Sequence, residues 1–174
     1  MRQVFKTEAL LLNKKSLLEK NILLTFLTKD LGEIKAFAFG VKKITSRRQS
    51  FLQTGNLLKI IVEKKDDRFY LKEVSLISGF LSIKEDQKKW PAFYFYLYIL
   101  GKILPENIKD EKNYQLTLNF LVNLSKKQFN LDDLNFYLNF LLKNLGYLNQ
   151  SQSFKENITT IEKIIDEKLP KFTL

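Results

Sequence analysis

The sequence contains no cysteine and no histidine, and these two absences exclude several kinds of site. Without thiolate or imidazole groups the chain forms no disulfide and no cysteine- or histidine-ligated zinc site, and it has no cysteine nucleophile or histidine general base. We expect no metal, no cofactor and no enzymatic activity. The lack of disulfides is compatible with the cytoplasm, where we expect the protein to act.

Long hydrophobic runs are also missing. The most apolar run, Phe93–Leu100, is bounded by Lys89 and Lys102 and is far shorter than the roughly 20 residues that a membrane-spanning helix needs. This run therefore predicts a buried helix. The first eight residues lack the apolar stretch of a secretory signal peptide.

Acidic residues are few relative to basic ones. The chain has 29 Lys and Arg against 19 Asp and Glu, which gives a net charge of +10 and favours an acidic partner, nucleic acid first and anionic membrane second. Residues 1–80 hold 16 basic and 8 acidic residues, a net of +8, whereas residues 81–174 hold 13 and 11, a net of +2. We expect the acidic partner to meet the N-terminal half.

The densest positive charge lies between Lys35 and Arg48, where no acidic residue intervenes. Cations attract a phosphate backbone, and small hydroxyls make close contacts with it. The candidate DNA-binding residues of this segment are Lys35, Lys42, Lys43, Ser46, Arg47 and Arg48. From charge alone, a solvated basic loop is an equally good interpretation.

Five short runs rich in β-branched and aromatic residues, separated by turn residues, predict strands in the first half. They are Val4–Leu12, Ile22–Thr28, Glu33–Phe39, Leu57–Glu63 and Phe69–Ile77. Five strands of this size suit a small barrel, and the oligonucleotide-binding (OB) fold is the natural candidate.

The third of these strands alternates between two kinds of side chain. Ile34, Ala36 and Ala38 fall on one face, while Lys35, Phe37 and Phe39 fall on the other. If the small residues fill the barrel, Phe37 becomes a further candidate DNA-binding residue that stacks on bases. The alternative is that both rings are core residues. For Phe39 we favour the core.

From residue 82 the pattern becomes helical. Ser82 with Glu85 predicts a capped helix start, and the longer helices are expected at Trp90–Leu104, Glu111–Lys127, Leu131–Leu145 and Lys155–Leu169. The prediction is thus an α+β protein. Residues 1–80 form a five-stranded OB-fold barrel, and residues 81–174 form an all-α helical bundle.

Several spaced segments resemble the family of the recombination mediator RecO. These segments are Thr7–Leu12, Glu19–Leu23, Thr28–Gly32, Gly40–Gln53 with its basic pair and Ser-Arg, and Leu134–Tyr147 with its Gly-Tyr terminus. The resemblance covers about residues 1–148. Family members often continue with a cysteine-rich zinc module, but here the cysteine-free stretch Asn149–Ser153 follows.

The resemblance implies a bacterial, nucleoid-associated protein of DNA repair. Such a protein binds single- and double-stranded DNA, anneals complementary strands, and acts with RecR to replace single-stranded-DNA-binding protein (SSB) by RecA. It also implies that the helical domain recognises the acidic, phenylalanine-terminated SSB tail. Lysines that could serve that contact are Lys102, Lys126, Lys127 and Lys143.

Other interpretations remain open at the level of sequence. One is an RNA-binding OB-fold protein of translation or RNA metabolism, although no residue visibly reads the 2′-hydroxyl. A second is a magnesium enzyme built on acidic pairs such as Asp66–Asp67 or Asp132–Asp133, although these pairs occupy expected turns and helix starts. A third is an adaptor whose charge is incidental.

Overall fold

A computed structural model describes residues 2–17, 21–39, 50–126 and 128–170. Its first half contains five strands: β1 (Gln3–Ser16), β2 (Ile22–Thr28), β3 (Gly32–Ala38), β4 (Leu57–Lys65) and β5 (Arg68–Ser78). They form a closed barrel in the order β1-β2-β3-β5-β4, in which only β3 and β5 run parallel. Apart from a helical stretch at Ser50 and Phe51 between β3 and β4, the helices of the described residues follow the barrel strands along the chain, which confirms the predicted α+β class and OB-type barrel.

The helices are α1 (Leu81–Lys84), α2 (Trp90–Ile103), α3 (Glu111–Lys126), α4 (Leu131–Asn144) and α5 (Phe154–Ile165). The chain divides into two compact units. One comprises residues 1–79 together with 104–110, and the other comprises residues 80–103 and 111–174. Residues 104–110, which link α2 to α3, therefore belong to the barrel unit. No helix in the described part of the chain is long and apolar enough to cross a membrane.

A bulge explains how β1 pairs with two neighbouring strands, β2 and β4. Gln3–Leu10 pairs with β4 and Ala9–Ser16 with β2, and the register shifts between Leu11 and Asn13. A bulge of this kind bends and twists a strand, which lets β1 pass from one side of the barrel to the other. The sequence predicted that this strand ends at Leu12. It continues to Ser16 because its polar end still pairs with β2.

The barrel interior is filled by one inward-facing set of side chains. This core contains Ala9, Leu11, Ile22, Leu24, Phe26, Ile34, Ala36, Ala38, Leu52, Leu58, Ile60, Val62, Phe69 and Leu71. Alternation along each strand leaves the intervening side chains on the outer surface. The outer surface of β3 is thus fixed by the burial of Ile34, Ala36 and Ala38.

The linker 104–110 closes the edge of β3 that β5 does not reach. Glu106 forms a parallel bridge with Glu33, and the Asn107 amide donates to the Glu33 carbonyl at 2.7 Å. Gly32 has φ +73°, and a Cβ there would lie 1.9 Å from the carbonyl oxygen of Ile108. Only glycine fits so close to another backbone.

The helical unit has an aromatic core. The Tyr96 and Phe120 rings lie 4.1 Å apart and the Phe120 and Tyr137 rings 5.2 Å apart, all three side chains being buried. Helix α4 begins with a capping box of Asn130 and Asp133, and Gly146 ends it as expected, with φ +80°.

The expected cap at Ser82 is wrong. Helix α1 starts one residue earlier, at Leu81, after Phe80 in a left-handed conformation, and no side chain caps it. A single turn of four residues is too short for a capping box to set its start. The turn is held instead by backbone bonds from Ile83 and Lys84 to the Phe80 carbonyl.

Candidate nucleic-acid interface

The outer face of β3 carries Lys35 and Phe37, opposite the fully buried Ile34, Ala36 and Ala38, and Phe39 follows directly after the strand. The two-faced pattern seen in the sequence is therefore confirmed. The interpretation of Phe39 as a core residue is wrong, because 53% of its surface is exposed. Phe37 is half-buried at the outer surface and does not belong to the barrel core.

Three rings gather on this face. Parallel pairing of β3 with β5 places Tyr70 directly beside Phe37, and their ring centroids are 6.0 Å apart. Phe39 lies 6.4 Å from Phe37 and 5.8 Å from Tyr70, with interplanar angles of only 10° and 23°. We call Phe37, Phe39 and Tyr70 the aromatic platform.

Cations border the aromatic platform on two sides. The guanidinium of Arg68 lies 6.0 Å from the centre of the Phe37 ring, within the range of a cation–π contact. On the other side, strand register carries a row from Phe37 to Leu23 of β2 and on to the exposed Lys15 of β1. The faces of the second and third strands and the adjoining loops are where OB folds bind oligonucleotides.

Lys35 also points outward on β3, but its ammonium group forms an ion pair with Glu106 of the linker. Both side chains are about half exposed, at 46% and 47%. Screening by water keeps such a pair weak, so that another anion could compete for Lys35. A phosphate contact at Lys35 would have to displace Glu106.

A buried carboxyl lies in the same region. Glu33 is only 3% exposed, and among the described residues its Oε2 atom has no hydrogen-bond partner. Burial raises the pKa of Glu33 from 4.5 to about 7, Lys35 opposes this effect, and the nearby Glu106 adds to it. When the pH rises above this value, the buried carboxyl of Glu33 ionises. Its charge then lowers the stability of the fold in which the linker covers β3.

The other candidates on the basic segment lie outside the described residues. They are Lys42, Lys43, Ser46, Arg47 and Arg48, between Phe39 and the resumption of the described chain at Ser50. Their assignment as phosphate contacts stays a prediction. What the structure adds is the surface from which this segment departs, at the exposed end of β3.

The predicted partner-binding lysines that the structure describes have different surroundings. Lys102 pairs with Glu167 at 2.9 Å and lies 5.4 Å from the Tyr98 ring. Hydrogen bonding to Glu167 raises the pKa of Lys102. Lys143 donates to the Ser151 hydroxyl at 2.9 Å, Lys126 is exposed at the last turn of α3, and Lys127 lies outside the described residues.

A groove of mixed apolar and amide lining runs between α3 and α4 and has a volume of about 380 Å³. Its walls are Leu116, Asn119, Val122, Asn123, Phe136, Tyr137 and Phe140. Phe136 and Phe140, one turn apart on α4, are both exposed, with ring centres 4.6 Å apart. Helical spacing puts Lys126 one turn beyond Val122, so this lysine lies toward one end of the groove.

Arg68, Tyr70 and Lys15 were missed by the sequence reasoning. Tyr70 alternates with the buried Phe69 and Leu71, and the third and fifth strands of an OB barrel are neighbours, so its position could have been found. Arg68 was missed because only the acidic pair of the turn before it, Asp66 and Asp67, was considered in the sequence. Asp66 and Asp67 serve there as turn residues with φ of 49° and 60°.

In the described ranges no three acidic side chains come together in a way that could hold a metal ion.

Comparison with known proteins gives a consistent result. Residues 1–80 match the family model described as "Recombination protein O N terminal". Similar curated proteins are named "DNA repair protein RecO". That of Thermoanaerobacter sp. is 26% identical over 151 residues, covering 85% of this chain and 60% of the relative. That of Thermodesulfovibrio yellowstonii is 27% identical over 152 residues, covering 87% and 60%.

A third relative, from Caldanaerobacter subterraneus, is 24% identical over 143 residues, covering 82% of this chain and 57% of that protein. The chain thus spans about three fifths of the length of these relatives.

Proposed function

We propose, from the match of residues 1–80 to the family model, that the chain is a member of the RecO family and a DNA-binding recombination mediator of DNA repair. In this role it binds single- and double-stranded DNA through the basic face of its barrel. It promotes annealing of complementary strands and, together with RecR, loading of RecA on SSB-coated DNA. Its relatives carry the name "DNA repair protein RecO".

The observation that supports DNA binding best is the outer surface of β3. The strand places Lys35 beside the rings of Phe37 and Phe39, and the arginine and lysine pairs of the basic segment follow within nine residues of Phe39. Arg68 and Lys15 extend the positive charge to both sides. Cations grouped in this way bind phosphates without reading bases, which suits annealing, because annealing needs the bases free to pair.

Charge reversal of the basic segment tests this proposal. We expect the triple variant Lys42→Glu, Lys43→Glu, Arg47→Glu to lose retention of labelled DNA and to fail in annealing SSB-coated complementary strands. Wild-type affinity should fall with salt, with a log–log slope of about 0.7–0.9 per phosphate contacted. Unfolding of the variant, followed by circular dichroism, should match that of the wild type.

The matched control reverses three exposed lysines of the helical unit, Lys112, Lys155 and Lys163. It makes the same change in net charge, so it separates local contact from long-range attraction. Equal loss in both triple variants, or wild-type annealing by the first, contradicts the assignment. Repeating the titration with RNA of the same sequence distinguishes the DNA-repair role from an RNA-binding one, which would give the tighter complex with RNA.

We assign the groove between α3 and α4 to the SSB tail. An apolar slot lined by Phe136 and Phe140 fits a terminal aromatic side chain, and Lys126 offers a cation for the acidic residues of such a tail. Lys102 fits less well because Glu167 already neutralises it. Titration of a labelled tail peptide should show weaker binding to Lys126→Ala than to Lys102→Ala. Equal affinity of both variants and the wild type would remove Lys126 from the site.

A further inference from the structure

We propose that the aromatic platform of Phe37, Phe39 and Tyr70, flanked by Arg68, stacks on unpaired bases and thereby makes the barrel prefer single strands to duplex. This inference rests on the proposed DNA binding and adds a second, non-ionic component to it. The residues that carry it are Phe37 of β3, Phe39 directly after β3, and Arg68 and Tyr70 of β5.

The exposure of the rings is the first argument. A large apolar side chain that stays exposed needs a reason when it belongs to a group, although single ones are common. Phe39 is 53% exposed, and its ring lies within about 6 Å of both other rings, close to parallel with each. Near-parallel rings on an outer sheet face offer flat surfaces to a planar ligand. Every base has such a face, so the contact tolerates any sequence.

The arrangement of charge is the second argument. The row Lys15, Leu23, Phe37, Tyr70 crosses four neighbouring strands. With roughly 4.8 Å between strands, it extends over about 14 Å. Lys15 stands at one end, while Arg68 stands over Phe37 near the other. Cations beside an apolar centre let the backbone run along the charges while its bases turn onto the rings.

Stacking also agrees with annealing. A base that stacks on a ring uses its π-face, and its hydrogen-bonding edge remains free to find a complement. Once paired inside a duplex, the base stacks on its neighbours and is no longer available to Phe39. The aromatic platform therefore holds a single strand in a form that can pair and loses its contact when pairing is complete.

The test compares three DNA probes of equal length by fluorescence anisotropy. They are a mixed-sequence single strand, a strand of abasic sites that keeps the phosphates without bases, and a duplex. The variant is Phe39→Ala, whose exposed ring can be removed with little effect on folding. The matched control is Tyr147→Ala, which removes a ring that is 48% exposed in the helical unit.

We expect Phe39→Ala to weaken binding of the normal single strand by roughly five- to 150-fold, the range for loss of one base–aromatic stack. Its affinity for the abasic strand and the duplex should stay at the wild-type value, and its salt slope should not change, because no phosphate contact is lost. Tyr147→Ala should behave as the wild type with all three probes.

Two results overturn the proposal and differ from each other. If the wild type binds the normal and abasic strands equally and Phe39→Ala changes neither, the rings do not contact bases. The phosphate contacts of the proposed function then stand, and a protein partner becomes the better occupant of the aromatic platform. If the wild type binds none of the probes at low salt, DNA binding itself fails, and stacking fails with it.

Discussion

The buried carboxyl of Glu33 gives a quantitative prediction for the variant Glu33→Gln. The folded protein holds a proton on Glu33 up to about pH 7, whereas the unfolded chain releases it near pH 4.5. The folded state thus binds more protons between these values, and its stability falls as the pH rises through this window. A shift from 4.5 to about 7 corresponds to a loss of at most about 3 kcal/mol, at 1.36 kcal/mol per pKa unit.

Glutamine is neutral at every pH and has nearly the same shape. We therefore expect Glu33→Gln to be more stable than the wild type by less than about 1 kcal/mol at pH 5 and by up to about 3 kcal/mol at pH 8. Urea unfolding followed by circular dichroism at pH 5, 6, 7 and 8 gives the free energy of unfolding of the wild type and of the variant as two curves against pH. The measured quantity is the difference between them, which removes the contribution of all other titrating groups.

Glu73→Gln serves as the control, since it removes one carboxyl charge from the exposed surface of β5. A carboxyl carbon NMR titration of Glu33 measures its pKa directly and should give a midpoint near 7. Parallel stability curves for the wild type and Glu33→Gln from pH 5 to 8 would refute the reasoning. Such a result would mean that Glu33 reaches water or a cation in the folded state.

Two further predictions concern the linker that covers β3. Gly32→Ala should destabilise the protein by at least about 2 kcal/mol in urea unfolding, because a Cβ at positive φ would meet the Ile108 carbonyl oxygen at 1.9 Å; a change below 0.5 kcal/mol would show that the linker yields easily. Glu106→Gln should release Lys35 and tighten single-stranded DNA binding roughly two- to fivefold at low salt, the scale of an exposed ion pair. Its salt slope should steepen by about 0.7–0.9, and unchanged affinity and slope would show that Lys35 contacts no phosphate.

Much of the barrel could be predicted because each strand carries its own local pattern. Strand β2 was predicted with both of its ends, since Ile22–Thr28 contains only aliphatic, aromatic and threonine side chains and lies between polar turns. The polar end of β1 could not be recognised in this way. Asn13–Ser16 resembles a turn in composition, and only pairing with β2 makes it a strand.

The candidate interface was predicted in part for a similar reason. The outward position of Lys35 and Phe37 follows from alternation along one strand, and the sequence shows it directly. Arg68 and Tyr70 reach the same surface through the parallel pairing of β3 with β5, which is a tertiary contact. The ion pair of Lys35 with Glu106 joins residues 71 positions apart, and no local pattern reports it.

The linker 104–110 has a consequence for the order in which the chain acquires its structure during synthesis. The five strands are complete in sequence by Ser78, yet the edge of β3 at Glu33 receives its partner only when Glu106 and Asn107 have left the ribosome, after the whole of α2. Until then the backbone groups of that edge stay open to water or to another strand. A fragment cut after residue 80 would keep this exposed edge permanently and would be prone to pair with a second copy of itself.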